Sequence, residues 1–331
     1  MFRSLILGLF VCCLVSFQPI LAQDIKTRKF EFDYRVSVPA FPNQAAARVW
    51  IPIPQSTDDQ KIELIGIKTA KSATISSEPK YGNRMLYVAG TGEDLVVELK
   101  YLVTRREVVT ANQNEATALA KDQVELFLQP NKMVPVEGKS ISLYEQFSEA
   151  NPFSGDSDQA SRGKHLYDFV GKHMAYDKSQ PGYGNGDVAW ACDSKTGNCT
   201  DFHSLFISVA RHKQIPAKFE IGFPLPPERG EGSIGGYHCW AKFHVAEKGW
   251  VPVDISEADK DPSLEDYYYG NLTENRIQFT TGRDIDLVPQ QASDPLNYFI
   301  YPHVEVAGQV LEKGKFEMSF GFKDLGDRDQ N

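Results

Sequence analysis

The sequence predicts an all-β sandwich followed by an α+β domain in which helices pack on an antiparallel sheet. Three observations carry this expectation. Residues 23–110 hold a series of short apolar-polar alternations separated by turn residues. The centre of the chain holds two stretches with apolar residues at helical spacing. Two adjacent strand patterns joined by a tight turn follow the second of these helices.

In the leading region, residues 30–36 alternate as a half-buried strand does. Residues 49–54 form an extended run whose Pro52 and Pro54 predict a sheet edge, because proline cannot donate to a ladder. Residues 86–88 and 95–103 complete the series, and a β-sandwich is the expected arrangement. Residues 111–154 read as a connecting segment, helical in composition over 111–128 and broken over 130–136. The second domain is placed at 155–290. There, Leu166, Phe169, Val170 and Met174 repeat with helical spacing. Residues 176–198 are rich in glycine and polar side chains and read as a long loop. Its Gly182, Gly184 and Gly186 are not a phosphate loop, since no strand leads in and no Gly-Lys-Ser/Thr follows. Cys199 opens a helix whose Phe202, Leu205, Phe206, Val209 and Ala210 share one face, and Pro216 ends it. A strand begins over 219–223. Further strands are expected over 277–279 and, in a C-terminal β extension at 291–331, over 298–306 and 316–322.

The strand pair after the cysteine helix can be read by parity. Over 237–245, Cys239, Ala241, Phe243 and Val245 share one face, and His238, Trp240, Lys242 and His244 share the other. Over 250–255, Val251, Val253 and Ile255 face the core, and Trp250, Pro252 and Asp254 oppose it. Matching the apolar faces puts His238 and Asp254 on one non-core face of a hairpin. Neighbours there have Cβ atoms about 5–8 Å apart, within reach of an imidazole–carboxylate bond.

The chain has 331 residues, 41% hydrophobic and 24% charged, with a net charge of −9. That composition fits a folded globular protein and argues against a binder of phosphate backbones. Arg3 followed by an apolar run over 5–17 and by Ala22 reads as a secretory signal peptide over 1–22. The mature chain is therefore expected in a periplasm or outside the cell, with 34 basic against 44 acidic residues. It keeps Cys192, Cys199 and Cys239, and an odd count in an oxidising compartment leaves one thiol unpaired. A Cys192–Cys239 disulfide that leaves Cys199 free is one arrangement.

A cysteine at a helix N-terminus is favoured as a thiolate. A nucleophilic thiol also needs a base, and the base needs an orienting acceptor. His238 and Asp254 supply these roles. Backbone N–H groups at the helix start, that of Cys199 included, could form part of an oxyanion hole, with Tyr176, Tyr183 and Trp190 as candidates for a second donor.

These residues lie in four blocks: Gly197-Asn198-Cys199-Thr200-Asp201-Phe202, Ile215-Pro216-Ala217-Lys218, His238-Cys239-Trp240-Ala241 and Gly249-Trp250-Val251-Pro252-Val253-Asp254. In order and spacing they resemble the transglutaminase-like superfamily of papain-like cysteine enzymes, over roughly 155–290. The leading β domain is similar to the N-terminal module of bacterial members. The resemblance implies a Cys199-His238-Asp254 triad and acyl transfer from an amide through a thioester, with water or an amine as acceptor and a peptide or protein as substrate. It implies no cofactor. Three positions depart from the family pattern: His203 stands where a small residue is usual, Gln214 where Gly is common, and Cys239 where Ala or Val follows the His.

Other readings remain beside this one. A non-catalytic module binding peptide or cell-wall polymer would use the β domain and an inert cleft. A zinc site built from Cys199, His203 and His238 would exploit the one-turn spacing of the first two, although paired Cys-x-x-Cys knuckles are missing and Cys239 should point away from His238. The acidic stretch 254–266 lacks the mid-loop glycine of a calcium loop.

Overall fold

A computed structural model describes residues 25–42, 45–112, 118–152, 158–246 and 248–326. The expected signal segment at 1–22 lies outside the described residues. Among these, no helix is long and apolar enough to cross a membrane.

Two five-stranded sheets and one four-stranded sheet organise the chain. The first sheet runs Glu231–Ser233, Glu317–Asp324, Thr27–Val38, Leu95–Arg106, Gln60–Thr69. The second runs Gln309–Val310, His303–Val306, Ala47–Ile53, Arg84–Gly90, Ala73–Ser77. The strict alternation in Thr27–Val38 buries Phe30, Phe32, Tyr34, Val36 and Val38 on one side. Val49, Ile51, Leu86 and Val88 of the second sheet join the same core. The last strands of the chain belong to these sheets: Glu317–Asp324 pairs with Thr27–Val38, and His303–Val306 with Ala47–Ile53.

The prolines of 49–54 do not mark an edge strand. Ala47–Ile53 is the middle strand of its sheet. The structure tolerates Pro52 because the neighbour His303–Val306 reaches only as far as Trp50 in register. Pro52 therefore faces a partner, Met85, on one side alone.

The four-stranded antiparallel sheet runs Gly249–Val253, His238–Val245, Ala217–Pro224, Arg276–Thr281. The helix Cys199–His212 packs on it with Phe206 against Phe243. Gln159–His173 packs there too, and so closely that a Cβ on Gly163 would sit 2.3 Å from the Phe243 ring. The opposite face, read from the sequence as non-core, is buried as well. His238, Trp240, Lys242 and His244 are all buried, Lys242 Nζ meets Asp59 at 2.8 Å, and Gln60 at the start of Gln60–Thr69 accepts from Gln278 N–H at 2.9 Å, so the end of the first sheet covers it. Period-two alternation separates the two faces of a strand but does not say that a distant sheet covers the second one.

The segment 176–198 is not one loop. It contains the helix Val188–Ser194, capped by Asp187, whose side chain accepts from the Ala189 and Trp190 N–H groups. It is framed by a short parallel pair, Ala175–Tyr176 with Thr196–Gly197. Seven helical residues are too few for a visible apolar period. Within the connecting segment the helices are Lys121–Leu128 and Lys139–Ala150.

Two backbone positions hold the four-stranded sheet and the helix Cys199–His212 in place. Gly222 lies opposite His238 in register, at an irregularity in the pairing with Arg276–Thr281. A Cβ there would stand 1.8 Å from the Ile277 carbonyl oxygen, so only glycine lets the strands approach. Gln214, two residues past the cysteine helix, is left-handed at φ 59°. Its N–H donates to the Arg211 carbonyl, and that of Ile215 to the Ala210 carbonyl, closing the helix end. Glycine is favoured at such a position because it has no Cβ to clash. Replacing Gln214 by Gly should therefore raise the unfolding free energy by about 0.5–1 kcal/mol, with strain relief exceeding the added chain entropy. Chemical denaturation of the two proteins measures this, and a less stable Gly variant would refute the strain assignment.

Candidate active site

The sequence places Cys199 at a helix start, and the local chemistry explains why the helix begins there. Asn198 is the N-cap: its side chain accepts from Thr200 N–H at 2.8 Å. Asp201 completes a capping box by accepting from Asn198 N–H at 2.9 Å. The same carboxylate accepts from Gly184 N–H at 2.7 Å and Gly186 N–H at 2.9 Å. The glycine-rich loop thus wraps an internal carboxylate, not a phosphate. Its glycines are needed, since both sit at positive φ and a Cβ on Gly186 would meet Ser204 Oγ at 2.4 Å. Arg283 ties the loop down further through the Gly186 and Asn185 carbonyls.

The structure brings Cys199, His238 and Asp254 together in a buried cluster. His238 Nε2 donates to Asp254 Oδ2 at 2.8 Å, which leaves Nδ1 for the Cys199 thiol. Asp254 lies just beyond the strand Gly249–Val253 and caps the helix Ile255–Lys260. His238 and Asp254 thus meet on one face, as the period-two alternation of their strands requires. Ile255 begins that helix, where the sequence had suggested a strand end.

The electrostatics of the cluster favour charge separation. Burial alone would push the Cys199 thiol up. Hydrogen bonds from Cys239 and His238 and the positive field of His238 outweigh it and hold the thiol well below its ordinary range. Burial alone would push His238 down. The Asp254 charge, its hydrogen bond and Cys199 outweigh that and push the imidazole up to about 10. Burial also opposes the Asp254 charge, but His238 and Arg276 keep its carboxyl far below the usual carboxylate range. A thiolate–imidazolium pair is the resting arrangement these shifts describe.

Arg276 escaped the sequence reading. Its Nη1 donates to Asp254 Oδ2 at 2.9 Å, and its guanidinium lies 4.9 Å from the Trp240 ring centre. The strand Arg276–Thr281 is recognisable as a strand, but no periodicity tells which residue its first side chain meets. Tyr237 was missed too: its hydroxyl contacts Thr200 Oγ1 at 2.9 Å and accepts from Asn198 Nδ2 at 3.2 Å, beside Cys199. Of the suggested second oxyanion donors, Tyr176 packs on Phe202, Tyr183 is exposed, and Trp190 packs under Gly182.

His203 and Cys239 lie behind the cluster. His203 Nε2 accepts from Ile255 N–H at 3.1 Å, and Nδ1 stands 3.9 Å from Cys239 Sγ. Burial lowers the His203 pKa, so the ring is neutral there and supports the turn that carries Asp254. With Nε2 already accepting, His203 has no lone pair to share with Cys199 on a zinc ion. Cys239 does point away from the His238 face, with Sγ 3.7 Å from Thr200 Oγ1. All three described cysteines are buried and unpaired, so no Cys192–Cys239 disulfide is formed. Among the described residues, His238, Asp254 and Glu257 do have ligand atoms close enough to surround a metal ion. The shared Asp254 oxygen already serves both His238 and Arg276, which makes a second cation costly there.

Residues 149–255, which span all three residues, match the family described as the transglutaminase-like superfamily. A Haemophilus influenzae protein described as "Uncharacterized protein" is 27% identical over 326 residues, covering 87% of this chain and 88% of its own. A crystal structure described as a "Putative Cysteine Protease" from Cytophaga hutchinsonii superposes with a TM-score of 0.54 at 13% identity, covering 91% of this chain and 98% of that one. At that identity the likeness establishes a shared fold.

Asp254→Asn should separate the electrostatic and structural parts of this site. It keeps the shape but leaves His238 and Arg276 without their buried anion. The unfolding free energy at neutral pH should fall by about 3–5 kcal/mol, and Cys199 alkylation at mildly acidic pH should slow. The depressed Asp254 pKa stabilises the fold above the ordinary carboxylate range and ceases to do so as pH falls through the folded value, so the stability gap should narrow in acid. Urea denaturation across pH measures it. An Asn variant as stable as the parent would contradict the central role of this carboxylate.

Proposed function

From a chain whose core is transglutaminase-like, we propose an exported cysteine enzyme that transfers the acyl group of an amide through a thioester. The observation that carries this reading is the buried Cys199–His238–Asp254 contact set with the thiol lowered and the imidazole raised. A resting ion pair of that kind supplies a nucleophile and an acid without further activation.

In the proposed cycle the Cys199 thiolate attacks the amide carbonyl carbon. The developing oxyanion is met by the Cys199 backbone N–H, since those of Thr200, Asp201 and Phe202 already donate to Asn198. The His238 imidazolium gives its proton to the leaving amine, the C–N bond breaks and the thioester remains. The now neutral His238 takes a proton from water or from an acceptor amine as that molecule attacks the thioester. Sulfur leaves as the thiolate and the ion pair is restored. Asp254 keeps the imidazole oriented and stabilises its charge throughout. Peptides and proteins are the substrate class, and for an exported enzyme hydrolysis is favoured over amine transfer. The leader sequence supports a periplasmic or extracellular setting.

The test is mass spectrometry of a peptide pool incubated with the mature protein, with and without a primary amine, against Cys199→Ala. Hydrolysis or deamidation products, or amine adducts if transfer prevails, should require Cys199. The rate should hold on the acid side of neutrality and fall only above a pH of about 10, where His238 loses its proton. Product formation that survives Cys199→Ala would overturn the nucleophile assignment.

A further inference from the structure

We propose that Arg105 and Arg276 form a buried binding site for one small monovalent anion, a halide or a compact carboxylate, between the first sheet and the four-stranded sheet. Arg105 is the last inward-facing residue of Leu95–Arg106 and is fully buried. Its Nε, Nη1 and Nη2 have no hydrogen-bond partner among the described residues, and neither has Nε of the buried Arg276. Four guanidinium nitrogens are thus without an acceptor in the interior. Buried polar groups are almost always satisfied, so a group of this kind calls for an occupant.

Water could satisfy the hydrogen bonds, but it cannot balance the charge. Glu220 binds Lys218 at 2.9 Å, stands 3.5 Å from Lys242, and accepts from Trp240 Nε1 at 2.7 Å. Asp59 binds Lys242 at 2.8 Å. Asp254 binds Arg276 at 2.9 Å. The Cys199 thiolate and the His238 imidazolium offset one another. Lys218, Lys242 and Arg276 thus each have a carboxylate in contact, and Arg105 has none. Arg105 is repelled by Arg276 and attracted only at a distance by Asp59 and Glu220. An unpaired buried charge is strongly destabilising unless a counterion neutralises it. One monovalent anion between the two guanidinium groups gives Arg105 the partner it lacks and supplies acceptors to the free nitrogens.

An entry route lies alongside. A cavity of about 960 Å³ is lined by Asp59, Lys218, Glu220 and Lys242 of this network and by Gln60 and Gln278, with Arg105 and Arg276 outside its lining. Gln60 is the register partner of Arg105.

The test is thermal unfolding of the mature protein at constant ionic strength while chloride or formate replaces gluconate, which is too bulky for the site. The melting midpoint should rise by several degrees with the logarithm of the small-anion concentration, and Arg105→Gln should flatten that response. Crystals soaked in bromide should show an anomalous peak between the two guanidinium groups. A rise in formate alone, with no bromide peak, assigns the site to a compact carboxylate. Coincident melting curves in all anions together with no bromide peak would overturn the proposal in favour of bridging water. So would an anion response that Arg105→Gln leaves intact. If Arg105→Gln does not fold, the melting curves and bromide crystals of the unaltered protein decide.

Discussion

The carboxylate of Asp254 has no solvent exposure, and the geometry of the whole site depends on how it is satisfied. One oxygen accepts from His238 and from Arg276. The other accepts from Ser256 Oγ at 3.3 Å and from Glu257 N–H at 3.4 Å, so the same side chain starts the helix Ile255–Lys260. A buried carboxylate is stable only when it is saturated in this way. Satisfying it fixes the end of the strand Gly249–Val253, the tilt of the His238 ring and the position of Arg276–Thr281. The fold and the electrostatics are then parts of one constraint.

A second carboxylate, Asp201, does for the cysteine what Asp254 does for the histidine. It gathers the N–H groups of Gly184, Gly186 and Asn198 around the start of the cysteine helix. Its pKa is raised by burial, which opposes the hydrogen bonds it accepts. The loop is held by these bonds and by Arg283, so the backbone around the start of the cysteine helix is fixed. The two carboxylates sit at the first turns of different helices, where the helix dipole favours negative charge.

Part of this was legible in the sequence because it depends on short-range period. The cysteine helix, the alternating strands and the shared face of His238 and Asp254 all follow from spacings of two and of three to four residues. The two side chains meet because the register Ala241 with Val253 carries that parity to the strand ends. What escaped depends on long-range pairing. Arg276 reaches Asp254 only because Arg276–Thr281 pairs with Ala217–Pro224, a neighbour fixed by the assembled sheet. The central position of Ala47–Ile53 depends on a strand more than two hundred residues away, His303–Val306. The short helix Val188–Ser194 was hidden by its length. One departure from the family pattern has a local reason, since His203 holds the Ile255 N–H behind Asp254, whereas Gln214 occupies a left-handed position that favours Gly.

The central claim is that Cys199 rests as a thiolate because His238 is protonated against Asp254. Mass spectrometry of the mature protein after brief iodoacetamide treatment, at neutral and mildly acidic pH and beside a His238→Ala variant, tests it most directly. The account predicts rapid alkylation of Cys199 that persists at the lower pH and slows in the variant, with Cys192 and Cys239 largely unlabelled. Alkylation of Cys199 no faster than a free small thiol, or unchanged by loss of His238, would contradict it.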